Sequence, residues 1–193
     1  MIATVFGLEV DLVREAPHWL VIGPDLSSRD QIVASIAAAC ETAGLDVWWV
    51  DKTRPTPAPA DATSVIADRS SLLVRHSVAT IDDLPHDVRP RQVMLVQHME
   101  PDGHSEEDRR SFVEVLRTGR ERGVGAIMAT RPSGRGFSLL EKAAMSGAAK
   151  VVLGPTTRAD MARWLADTNI ETPTAGEAVV EIPGQPIALV RLT

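Results

Sequence analysis

One cysteine in 193 residues rules out an internal disulfide. That residue, Cys40, falls in an apolar helical pattern, where a thiol packs rather than attacks. Long apolar runs are missing as well. Nothing approaches the roughly 18 residues that a membrane span requires, and no basic start or sustained apolar stretch precedes Glu9 and Asp11, so a signal peptide is not read. The five histidines (His18, His76, His86, His98 and His104) are scattered without ligand spacing, and no metal site is expected. There is no basic excess either. With a net charge of -6 and a pI near 5.4, bulk charge attracts neither DNA nor anionic membranes, although a local basic face stays open. What is present is ordinary globular composition, 44% hydrophobic and 24% charged. That is enough for one domain with a full core, read here as residues 1–193. A cytoplasmic chain, or the cytosolic part of a membrane-anchored one, is the expectation. Both an excised domain and a whole protein fit it.

Apolar runs alternate with helical periodicity. Residues 2–10 suggest one strand, and 18–22 a buried strand closed by Gly23-Pro24. Residues 30–43 place Ile32, Val33, Ile36, Ala37 and Cys40 at helical spacing before Gly44. Strands are expected at 47–50, 71–79, 93–96, 125–130 and 150–153. A proline-rich loop spans 53–61, and Asp82-Asp83 opens a brief helix. Further helices are read at 105–122, 137–145 and 157–167. Residues 179–182 and 187–192 form a terminal hairpin around Pro183-Gly184-Gln185-Pro186. The rhythm predicts an α/β fold, a mostly parallel doubly wound sheet with flanking helices and a C-terminal hairpin. Ligands of such sheets sit at the carboxyl ends of the strands: here Gly23, Asp51, Gln97-His98 and Thr130-Arg131.

The stretch from Gly23 to Asp30 has the outline of a phosphate-binding loop, G-x-x-x-x-G-K-[ST]. It keeps the first glycine. It puts Ser28 at the second glycine, Arg29 at the lysine and Asp30 at the Ser/Thr. Ser28 reaches positive φ only at a steric cost, Arg29 lacks the compact ammonium, and Asp30 would set a carboxylate beside phosphates. A plain strand–turn–helix is the preferred reading, and Arg29→Ala is expected to leave function nearly unchanged. The strand 92–98 ends in Gln97 and His98, where a P-loop enzyme needs acidic residues to hold Mg²⁺. Glu100 substitutes only if its loop bends back, and His98 has no partner as a base. Trp48 and Trp49 alternate faces of a strand, and Trp164 lies with Met161 and Leu165 on an apolar helix face; packing is the default for all three.

The segment from Leu116 to Ser133 resembles the FtsK/SpoIIIE/HerA-type motor ATPases. Their pattern there is approximately R-x-G-R-x-x-G-[IV]-H-[LI]-x-x-A-T-Q-R-P-S. Arg117, Gly119, Arg120, Gly123, Val124, Ala129, Thr130, Arg131, Pro132 and Ser133 match it. Gly125 replaces a frequent His, and the Gln between Thr130 and Arg131, a polar sensor of the γ-phosphate, is missing. Pro17-His18-Trp19-Leu20-Val21-Ile22-Gly23 is similar to the family's entry to Walker A. Val50-Asp51-Lys52 is similar to its (V/I)-D-P-K segment, and Thr174-Ala175-Gly176-Glu177-Ala178 falls at its turn before the last strands. The similarity thus spans almost the whole chain in order.

The resemblance implies a RecA-like P-loop domain that assembles in rings or tandem arrays. Here it is a degenerate one: vestigial nucleotide loop at Gly23, Ser28, Arg29 and Asp30, vestigial Walker B end at Gln97 and His98, no catalytic residues. ATP and Mg²⁺ are not expected to bind. Arg117 and Arg120 match positions near a subunit interface, with complementing a helix dipole as the plain alternative. Arg131 and Arg135 flank a basic loop that contacts an anion or a partner, or is simply solvated. The leading expectation is a pseudo-ATPase with a regulatory, scaffolding or substrate-recognition role, similar to the later ATPase domains of the EccC/EssC type VII secretion motors. Its partners would be neighbouring ATPase domains and a secreted substrate. The alternatives are a non-hydrolysing, DNA-contacting domain of a conjugation or chromosome-partition translocase, and slow NTP hydrolysis with Arg29 for the lysine and Glu100 for the acid.

Overall fold

The computed structural model describes residues 1–49, 62–98, 106–131, 147–167 and 169–192. The chain opens with a hairpin of β1 (Ile2–Val5) and β2 (Leu8–Asp11). The single strand expected over 2–10 is therefore two. Phe6 and Gly7 take φ of 53° and 79°, the paired positive values of a tight two-residue hairpin turn. A seven-stranded sheet follows. Its strands are β3 (His18–Ile22), β4 (Asp46–Trp49), β5 (Val93–His98), β6 (Val124–Thr130), β7 (Ala149–Leu153), β8 (Glu177–Glu181) and β9 (Ala188–Arg191), in spatial order β4-β5-β6-β3-β7-β8-β9. The first five in that order run parallel. The terminal hairpin adds antiparallel to β7 through β8. The expected mostly parallel α/β sheet is what the chain forms.

Both faces of the sheet are covered. On β3, Trp19 and Val21 enter one core, which takes Ile32, Val33, Ile36, Ala37 and Cys40 from α1 (Leu26–Thr42) and Val5 and Val10 from the hairpin. Leu20 and Ile22 enter the other. That second core is closed by α2 (Ala62–His76), α3 (Glu106–Thr118) and α4 (Arg158–Trp164). Such strands, buried on both faces, read as unbroken apolar runs. Trp48 and Trp49 pack against opposite cores, and Trp164 is buried, as their spacing implied.

The strand expected at 71–79 is instead the end of α2. Val65, Ile66 and Leu73 point inward at helical spacing. Ser77, at φ 54°, ends the helix with its N–H on the Val74 carbonyl and the Val78 N–H on that of Leu73, a Schellman closure in which serine does the work usually given to glycine. The helix expected over 105–122 stops at Thr118 and passes into a 3₁₀ turn, Arg120–Arg122. Gly123 closes that turn at φ 62°. Asp82 and Asp83 sit in a 3₁₀ turn, Ile81–Asp83. The loop at 53–61 and the helix expected at 137–145 lie outside the described residues.

Candidate functional site

The carboxyl ends of β3, β5, β6 and β7 meet at one edge of the sheet. There the Gly23 N–H donates to the Thr130 carbonyl at 3.2 Å, tying the end of β3 to the end of β6. Gly23 does not take positive φ. It is small because a Cβ would stand 2.8 Å from Leu153 Cδ1 at the end of β7. Gln97 and Thr130 are buried at the same edge. His98 closes β5 in register with Ala129. Asp51, Glu100 and Arg135 lie outside the described residues.

The loop between β3 and α1 is shorter than the sequence suggested. The helix starts at Leu26 rather than near Asp30, because Asp25 caps it: a carboxylate oxygen accepts from the Ser28 N–H at 2.7 Å. That hydrogen bond, together with the Ser28 hydroxyl and the Arg29 charge, holds the Asp25 carboxyl below the usual range. Ser28, Arg29 and Asp30 therefore belong to the first turns of α1 and not to a loop. Asp25 before an apolar residue was a readable N-cap signal, overridden by the P-loop alignment.

Arg29 points inward. It is 1% exposed, and Nη1 donates to the Gly23 carbonyl. The loop thus closes on a cation from its own helix. A nucleotide phosphate needs converging free N–H groups and a lysine that reaches outward. Here one helix-end N–H is taken by the Asp25 carboxylate, and the cation is turned back on the loop's own carbonyl. Mg²⁺ asks for a hydroxyl and a carboxylate, where this chain offers half-buried Asp30 and buried Gln97. The inward Arg29 and the uncharged Gln97 differ from the donors that a Mg²⁺–nucleotide site uses. No group of three or more His, Cys, Asp or Glu among them could hold a metal ion.

The four arginines singled out in the sequence are not one cluster. Arg117 and Arg120 are exposed at the amino end of β6, whereas Arg131 is exposed just past its carboxyl end, about 20 Å away across the seven residues of that strand. Two polar residues of the amino end were given no role in the sequence. Arg69 is buried in α2, donating to the carbonyls of Arg122 (2.8 Å), Gly123 (2.9 Å) and Arg91 (2.6 Å). Burial lowers its pKa to about 10, with Asp46 opposing. His18 is buried at the start of β3 with no hydrogen-bond partner for either ring nitrogen among the described residues. Burial first, and the Arg120 charge second, lower its pKa to about 4. Arg69 carried no sequence signal, since one polar residue on a core face resembles any other, and His18 carried only its place in the segment similar to the family's entry to Walker A.

No family model and no curated protein matches the sequence. Solved structures do. The chain is similar to the conjugation coupling protein TcpA of pCW3, solved as a monomer form with ATPγS (TM-score 0.71, 14% identity, 99% of this chain and 64% of that one). It is similar to the cytoplasmic domain of the type VII secretion ATPase EccC of Thermomonospora curvata (TM-score 0.69, 17% identity, 96% of this chain and 27% of that one). It is also similar to ATPases 2 and 3 of that EccC in complex with a signal sequence peptide (TM-score 0.60, 14% identity, 100% and 40%). The chain therefore spans less than two-thirds of each of these structures. No helix among its described residues is long and apolar enough to cross a membrane. With its strand order, its P-loop-like edge and these neighbours, the chain has the FtsK/SpoIIIE-like ATPase fold.

Proposed function

We propose that this chain is a non-catalytic FtsK/SpoIIIE-like module with a regulatory, scaffolding or substrate-recognition role in a protein-secretion motor. The observation that carries the reading is Arg29, folded into the space beside Gly23 and bonded to its carbonyl. The Asp25 cap and the uncharged Gln97 at the end of β5 support it. EccC, seen with a signal sequence peptide, supports a protein partner for a module of this fold, and the net charge of -6 suits protein better than DNA. Assembly with neighbouring ATPase domains, in a tandem array or ring, and a cytoplasmic setting belong to the same reading.

The test is calorimetric titration of ATP with Mg²⁺ into the protein. No heat of binding at millimolar nucleotide is the expected result. Saturable binding that Arg29→Ala weakens would overturn the reading and restore the nucleotide site. A second reading, a non-hydrolysing DNA-contacting domain of a conjugation or chromosome-partition translocase, is favoured by the similarity to TcpA. It requires binding to duplex DNA that falls steeply with salt; no binding at low salt removes it.

A further inference from the structure

The seven-stranded sheet ends on β9. Among the described residues β9 pairs with β8 alone, antiparallel and without a bulge, from Glu177 opposite Arg191 to Val180 opposite Ala188. In the same register the Leu192 N–H donates to the Gly176 carbonyl at 2.8 Å. That bond fixes which way each main-chain group faces. Those of Ala188 and Val190 turn to β8, and those of Leu189 and Arg191 turn outward. Among the described residues the outward N–H groups have no hydrogen-bond partner.

Natural sheets blunt such an edge with lysines, prolines, bulges or inward charges. Residues 187–192 contain none of these. Five of the six are apolar, and the sixth is Arg191. Its side chain is 88% exposed and reaches Glu177 only at 4.0 Å. Ile187, Val190 and Leu192 are half-buried against the two cores, and Leu189 is 36% exposed. An apolar strand is thus left with one side unfinished.

We infer that this edge pairs with the same edge of a second copy of the chain. A two-fold axis at Val190 sets Leu189 opposite Arg191 of the partner subunit, and the reverse, so that all the outward N–H groups of Leu189 and Arg191 find carbonyls. On one face Val190 meets Val190 of the partner subunit, and Ala188 meets Leu192 of the partner subunit. On the other face the Arg191 stem lies along an apolar side chain, and no like charges stand directly opposite. The strand is complementary to itself in charge and in main-chain direction, which selects a second copy over a foreign segment. The contact is small beside the roughly 1,000 Å² of a lasting interface, so the pairing is weak, with a dissociation constant on the order of 0.1 mM. This inference goes beyond the role proposed above and stands whether or not nucleotide binds.

The test is sedimentation equilibrium of the whole chain from micromolar to millimolar concentration, where a monomer–dimer equilibrium is expected. Amide exchange, followed by NMR on the isotope-labelled chain, should slow with concentration at Leu189 and Arg191. It should not change at Ala188 and Val190, whose N–H groups β8 already holds. Leu189→Pro removes an outward N–H that β8 does not use, a place where an edge strand tolerates proline, and should abolish the dimer. Leu189→Lys keeps the backbone intact, sets like charges opposite one another and should weaken the dimer by about tenfold. A chain that stays monomeric at millimolar concentration, a dimer that both variants leave intact, or slowing at Ala188 and Val190 alone would each overturn the proposal. So would protection of Leu189 and Arg191 that appears only when a foreign strand, the capped peptide Glu-Val-Glu-Val, is added to the monomer.

Discussion

Arg29 is held between α1 and the end of β3, and its removal has two separate consequences. The Gly23 carbonyl loses its donor and a cavity opens beneath α1. Arg29→Ala is therefore expected to cost about 2–4 kcal/mol in urea unfolding while leaving function otherwise intact in the protein that remains folded. Arg29→Met should cost less, because it refills the volume without a charge to desolvate. An alanine variant as stable as the parent would mean that the guanidinium contributes nothing. His18 gives a pH dependence. The fold favours its neutral ring down to pH about 4, whereas the unfolded chain takes up a proton below about 6.5. Stability is thus full above 6.5, declines between 6.5 and 4, and is flat below, by about 3 kcal/mol in all. A His18→Leu variant should lack that part of the slope in urea unfolding across this window; an unchanged slope would refute the assignment. Because the Arg120 charge also depresses His18, Arg120→Ala should raise the imidazole pKa in an NMR titration.

At the scale of elements, caps and close approaches carry the argument. Asp25→Ala removes the acceptor for the Ser28 N–H and should cost about 1 kcal/mol of thermal or urea stability. Gly125→Ala should be far worse, since a Cβ there would stand 2.3 Å from the Pro17 carbonyl and 2.8 Å from Met94 Sδ. The strand would have to leave its register with β3, and low soluble yield is the expected readout. This also gives a physical reason for glycine where the resembled family often has histidine. Much of the fold was legible. Apolar runs marked β3, β5, β6 and β7, and the 3.6-residue period marked the core face of α1, because burial on both faces leaves little room for polar residues. α2 was not legible. Buried Arg69 interrupts its apolar face, and Ser77 ends it where a glycine would have announced the stop. The edge holding Gly23, Gln97 and Thr130 could be read from strand ends, but the inward turn of Arg29 could not. A pattern of residue types says where a side chain starts and not where a long one finishes.

For the whole molecule, the strand order brings two chemically different edges to opposite ends of one sheet. At the carboxyl edge Arg29 is folded onto the Gly23 carbonyl, whereas at the amino edge Arg117 and Arg120 are exposed. Hydrogen exchange should show this division. Gly23 and Leu26–Thr42 should exchange alike with and without Mg²⁺–ATP, and a nucleotide-dependent slowing there would contradict the proposed role. The Arg29–Gly23 bond has one more implication. A working ATPase gains stability from its bound nucleotide, so its folded fraction follows the supply of that nucleotide. On the proposed reading, a loop closed by its own helix lacks that linkage. The melting temperature of this chain is expected to be the same at any ATP concentration, and its abundance to be indifferent to whether the cell is starved or fed.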